Sequence, residues 1–190
     1  CSSDLVCVLV VLVVELLVTM PFARIPLTGT EVLLPAYGAA ILLIELITSA
    51  LLLALFSVQQ SRAVLVLAIG YLFSGLMVVP WMLTFPNVFD VLGLDAGLQA
   101  TASIAALRRL GFPLFVLAYA LSKDGATSAP RFQGSVRKAI VGSVTGTLAA
   151  AGGLTWIILA NDDSLPNFMR NARNVTDLWL YVPAMAVFLY

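Results

Sequence analysis

Histidine is absent from this 190-residue chain. Its absence removes a histidine phosphoacceptor, bis-histidine haem ligation and the ordinary zinc sites. Cysteine is nearly absent too. Cys1 and Cys7 would lie about 240° apart on a helix, so neither a disulfide framework nor a metal clamp is expected. Charge is scarce, at 11% of residues, and Lys plus Arg balance Asp plus Glu to a formal net charge of zero. A nucleic-acid surface requires a basic excess, so nucleic acid is not an expected partner. No Walker loop, Ser-His-Asp set, zinc motif or nucleotide fingerprint occurs. The chain is therefore expected to be non-catalytic, with no metal and no cofactor.

What the chain has instead is apolar length. Hydrophobic residues make up 61% of it and the mean hydropathy is +1.04, outside the soluble range. The expected fold is all-α, a polytopic transmembrane helical bundle of about six spans. Those spans are Leu5 to Met20, Pro35 to Ser57, Ala63 to about Met82, Thr101 to Leu121, Ala139 to Ala160, and a sixth that starts at Asp177. Gln59-Gln60-Ser61-Arg62 reads as the tight turn of a helical hairpin, and Leu83 to Gln99 as a structured loop. Pro113 falls inside the fourth span, where it displaces the hydrogen bond to the Arg109 carbonyl and is expected to kink the helix. Gly142 and Gly146 form a small-xxx-small pair suited to close helix packing. The first residue is not Met and the last apolar run is unfinished at Tyr190, so residues 1–190 read as one integral membrane domain cut from a longer protein.

Basic residues in the loops set the expected orientation. With a cytoplasmic N-terminus the inner loops hold five, Arg62, Lys123, Arg131, Arg137 and Lys138, against three outside, Arg24, Arg170 and Arg173.

Four charges fall inside the spans: Glu15, Glu45, Arg108 and Arg109. Their offsets from the span ends correspond to depths of roughly 9, 15 and 11 Å for Glu15, Glu45 and the arginine pair, all measured from the same side. Each charge near the bilayer centre costs ~2.5 to 3.5 kcal/mol on insertion scales, so pairing across helices is expected. The expected pair is Glu45 with Arg109, with Glu15 and Arg108 joining it or reaching the interface. The competing reading lets the arginines snorkel to the headgroups and leaves Glu15 protonated.

Aromatic residues carry two readings as well. Trp81, Tyr37, Tyr71 and Tyr119 suit an interfacial belt. Trp81, Phe85, Phe89 and Phe112 suit either an apolar ligand pocket or packing of the loop onto the helices. Asp162-Asp163 reads as solvated loop in preference to a cation site.

The runs PFARIPL at Pro21 to Leu27, LPAYGAAILLIELITSALLL at Leu34 to Leu53, SRAVLVLAIGYLFSGLMVVPWMLTFP at Ser61 to Pro86 and GFPLFVLAYAL at Gly111 to Leu121 resemble the membrane-associated sensor domain of the fourth MASE type. The resemblance implies a bacterial inner-membrane sensory domain, embedded in the lipid bilayer and joined in the same polypeptide to a cytoplasmic output such as a GGDEF diguanylate cyclase or a histidine kinase. That family pattern tends to carry His where this chain has Trp81 and Arg109, and Asp where it has Glu45. Chemistry that depends on those histidines has no counterpart here, while Glu45 keeps the carboxylate. Two other functions fit the residues: a small transporter or channel whose path runs past Glu45 and Arg109, and a passive anchor that forms a homodimer through the Gly142 to Gly146 face.

Overall fold

In hydrocarbon every backbone N–H and C=O needs a partner within the protein, and an α-helix supplies one inside its own segment. A computed structural model, which describes residues 2–22, 33–85, 97–124, 132, 134–161, 164–171 and 174–189, turns each apolar run into such a helix. The helices are α1 (Ser2–Thr19), α2 (Leu33–Gln59), α3 (Arg62–Leu83), α4 (Leu98–Asp124), α5 (Val136–Ala160) and α6 (Asp177–Leu189). A two-stranded antiparallel ladder, β1 (Met169–Asn171) with β2 (Asn174–Val175), precedes α6.

The chain divides into two compact units, Cys1–Thr30 and Glu31–Tyr190. The first is α1 and a 3-10 turn, Met20–Phe22, that contains Pro21. Leu9, Leu16 and Leu17 of α1 are all exposed, as suits side chains that face lipid.

In the second unit α3 lies at the centre, contacted by α2, α4 and α5, and α6 packs on α4. The α2–α3 turn is short because Gln60 takes a left-handed conformation, φ 55°, and its N–H donates to the Phe56 carbonyl at 2.8 Å. Lower in the hairpin the Ser49 hydroxyl donates to the Ala68 carbonyl at 2.9 Å, an interhelical bond of the kind that holds membrane helices where lipid competes for apolar contact. Glycine permits the α3–α4 crossing. A Cβ at Gly70 would lie 2.6 Å from the Phe115 Cβ, and one at Gly111 would lie 2.8 Å from the Phe73 ring. Phe73, Met77, Ile104 and Ala151 form the buried core from α3, α4 and α5.

The structure bears on the span count, the glycine pair and the segment before α6. Four helices, Leu33–Gln59, Arg62–Leu83, Leu98–Ser122 and Val136–Ala160, are long and apolar enough to cross a membrane, whereas Val6–Thr19 and Asp177–Leu189 are shorter apolar helices. The 13 residues of α6 rise about 20 Å, and this is the run that the sequence leaves unfinished at Tyr190. Gly142 and Gly146 make no close crossing among the described residues: a Cβ at either would meet no heavy atom within 4 Å. They border an open groove with Ile69, Phe73 and Leu114, because α5 approaches α3 further along, at Ala151 and Leu154. Finally, the stretch from Asn161 to Thr176 contains the β1–β2 ladder, which its polar composition does not announce. Helix α4 starts at Leu98 and runs unbroken through Pro113, which is fully buried. Most of the Leu83 to Gln99 loop, and Asp162-Asp163, lie outside the described residues.

Candidate functional site

Glu45 sits midway along α2 and points at α3 and α4. The Ser74 hydroxyl of α3 donates to Glu45 Oε1 at 2.8 Å, and Arg108 Nη2 of α4 stands 3.7 Å from the same oxygen. The side chains of Arg108 and Glu45 are 21% and 16% exposed, so the charges are largely withdrawn from the surface and neutralise one another there. Gly75 makes room for this, since a Cβ at that position would lie 3.3 Å from the Glu45 Cβ. One carboxylate oxygen thus ties three helices together. The other, Glu45 Oε2, and Arg108 Nε are buried and find no hydrogen-bond partner among the described residues; 3.7 Å is an ion-pair distance and too long for a hydrogen bond.

The expected Glu45–Arg109 pair is therefore corrected to Glu45–Arg108. Neighbouring residues on a helix point about 100° apart, and α4 turns position 108 toward α2. Arg109 is exposed and faces α6, with its Cζ 5.4 Å from the centre of the Trp179 ring, a cation–π contact. Trp179 is held from behind. Its ring meets Phe168 edge-on at 5.9 Å, and its backbone N–H donates to the Thr176 carbonyl at 3.0 Å. The strap that carries Phe168 and Met169 is clamped by Gln99 in the first turn of α4. Gln99 Oε1 accepts from the Phe168 and Met169 N–H groups at 2.9 and 3.2 Å, and its Nε2 donates to the Met169 carbonyl at 2.6 Å.

Between α2, the end of α3, α4 and this strap lies a cavity of about 340 Å³, lined by Tyr37, Ile41, Trp81, Phe85, Leu98, Thr101, Ala102, Ala105, Arg108, Arg109, Met169 and Trp179. Trp81 and Phe85 pack edge to face at 5.9 Å. The Thr101 hydroxyl donates to the Thr84 carbonyl and pins α4 to the end of α3. A second cavity, of about 320 Å³, lies one turn further along α4 and is lined by Glu45, Ser74, Phe112, Pro113, Pro183, Ala186, Val187 and the same two arginines. Arg108 and Arg109 therefore border both.

Of the four aromatic pocket candidates, Trp81 and Phe85 line the first cavity. Phe112 does not: four residues on from Arg108 it falls in the next turn, where its ring packs on Tyr71 at 4.9 Å. Phe89 lies outside the described residues. Of the residues read as an interfacial belt, Tyr37 and Trp81 line the cavity and Tyr71 packs on Phe112 across the α3–α4 crossing. Glu15 belongs to the first compact unit, exposed on α1, with its carbonyl accepting from the Thr19 hydroxyl at 2.7 Å. Gln99, Met169 and Trp179 carry no signal in the sequence beyond a lone amide at the head of an apolar helix and a Trp among Leu residues.

The family model described as MASE4, membrane-associated sensor, integral membrane domain, matches residues 28–189. The chain belongs to this family. A MASE4 domain is a membrane-integral sensor domain, and the match spans α2 through α6 with the Glu45 node and both cavities. No curated protein and no solved structure matches the chain.

Proposed function

We propose that residues 1–190 form one sensory input domain of a bacterial signalling protein, crossing the inner membrane several times and relaying a stimulus to a cytoplasmic output in the same polypeptide, such as a GGDEF diguanylate cyclase or a histidine kinase. In this reading α1 and α6 add two crossings to the four long helices, and the Gln60 turn faces the cytoplasm. One observation carries the mechanism: a single carboxylate oxygen of Glu45 engages Ser74 on α3 and Arg108 on α4. Three helices share one polar junction in apolar surroundings. A stimulus that changes how Arg108 shares itself between Glu45 and the cavities changes the packing of α2, α3 and α4, and a shift between two packings biases the output.

The coding frame beyond the codon for Tyr190 tests this reading. An output module there supports it. A stop codon soon after α6, or an inverted repeat of these helices, supports the anchor or the transporter instead.

A further inference from the structure

We propose that the cavity between Trp81, Trp179 and the two arginines binds a small apolar monoanion, a carboxylate whose charged end meets Arg109 and whose apolar body lies against the aromatic walls. This deepens the sensory reading and rests on it for the ligand's role as stimulus; binding itself does not depend on that role.

Charge counting comes first. Arg108 and Arg109 bring two positive charges to one wall, and Glu45 compensates one of them through its contact with Arg108. Arg109 makes no ion pair among the described residues; its neighbour is the Trp179 ring. Among the described residues the surplus on this wall is one, and a charge that borders an apolar cavity in a membrane domain calls for a counterion. The planar guanidinium fork matches a carboxylate, while a doubly charged phosphate exceeds the surplus.

The walls decide the rest of the ligand. Trp81, Phe85, Ile41 and Trp179 present ring and aliphatic surface, the composition of a site that orients an apolar body with a few polar groups. A volume of about 340 Å³ lies at the small end of ligand pockets, roughly 300–1,000 Å³. It suits a medium-chain or single-ring acid. Such an acid reaches the site either from water or from the bilayer, and the chemistry of recognition is the same.

The chain's tryptophans supply the readout. Trp81 and Trp179 line the cavity, and Trp156, on α5, is exposed and borders a different groove. The full-length protein in lipid nanodiscs is titrated with cyclohexanecarboxylate, the water-borne probe, and decanoate, the bilayer-borne probe, each beside its neutral alcohol, cyclohexylmethanol or decanol. The expected result is a saturable change in tryptophan emission with at least one acid, at least tenfold weaker with its alcohol and with Arg109→Gln, and retained in Trp156→Phe. Whichever acid binds identifies the source. Equal response to acid and alcohol in the wild-type protein, no saturable response to either acid, or undiminished binding by Arg109→Gln overturns the proposal. The comparison in the wild-type protein stands even if the variant does not fold. The two readings fail separately. Acid binding that leaves the output unchanged keeps the site and removes its role as stimulus, whereas an output that responds to Glu45→Gln in a protein that binds neither acid keeps the sensor and removes this ligand class.

Discussion

Arg108 reaches the carboxylate of Glu45 at 3.7 Å, while Arg109, one residue further along the same helix, turns to Trp179. Two adjacent arginines at the same depth thus serve different partners on different helices. A double-mutant cycle separates them. Glu45→Gln and Arg108→Gln are each expected to lower the unfolding midpoint of the purified protein in detergent, and their combination to cost less than the sum, with a coupling of about 1 kcal/mol, in the range measured for polar contacts between membrane helices. Glu45→Gln with Arg109→Gln is expected to be additive. Coupling to Arg109 in place of Arg108 contradicts the geometry.

Glycine positions divide in the same assay. At Gly70 an added methyl group would meet the Phe115 Cβ at 2.6 Å, and overpacking of about 1–3 kcal/mol exceeds the roughly 1 kcal/mol that alanine gains over glycine in a helix. Gly70→Ala is expected to destabilise. Gly142→Ala, which meets nothing within 4 Å, is expected to leave the midpoint unchanged or raise it. A large loss at Gly142 in the monomeric protein would show a packing contact at that position.

Gln99 clamps the strap that carries Met169 and supports Trp179. Gln99→Leu keeps the bulk and removes three hydrogen bonds, each loss worth about 1 kcal/mol. Hydrogen exchange at the Phe168 and Met169 amides is expected to accelerate by an order of magnitude or more, with the α2–α3 amides unaffected. Unchanged protection at those two amides contradicts the clamp.

Orientation is tested by labelling from outside. In a cysteine-free background of the full-length protein, which includes Cys1→Ser and Cys7→Ser, a membrane-impermeant maleimide is expected to label Asn167→Cys in intact cells and Gln59→Cys only after permeabilisation. Both positions are exposed. The reverse pattern inverts the proposed topology.

Much of the bundle is legible in the sequence, and for a physical reason. The runs that become α2 to α5 are apolar over the length of a span and bounded by turn residues such as Gln60, so their ends fall within a few residues of the observed helices. Depth is legible too: counting residues from the span ends puts Glu45 and the arginine pair in one layer. What the letters withhold is rotation about each helix axis. Lipid is as apolar as the core, so hydrophobic periodicity carries little information about which face turns inward, and Arg109 is no more marked for pairing than Arg108. Gly142 and Gly146 illustrate the same limit, since small residues permit a close crossing without requiring one. The contacts of Gln99 with Met169 and of Arg109 with Trp179 bridge some 70 residues of chain, and no local pattern encodes them.

If the Glu45 junction sets the state of the sensory domain, the output of the full-length protein in native membranes depends on that junction. The activity of the output module, cyclase or autokinase in the proposed reading, is compared between wild type, Glu45→Gln and Arg108→Gln at matched membrane abundance, with Gly142→Ala, whose added methyl meets no heavy atom among the described residues, as the control. Both junction variants are expected to shift output severalfold in the same direction, because each breaks the same contact, while the control does not. Output unchanged in both junction variants, with the protein folded and inserted, would contradict that dependence.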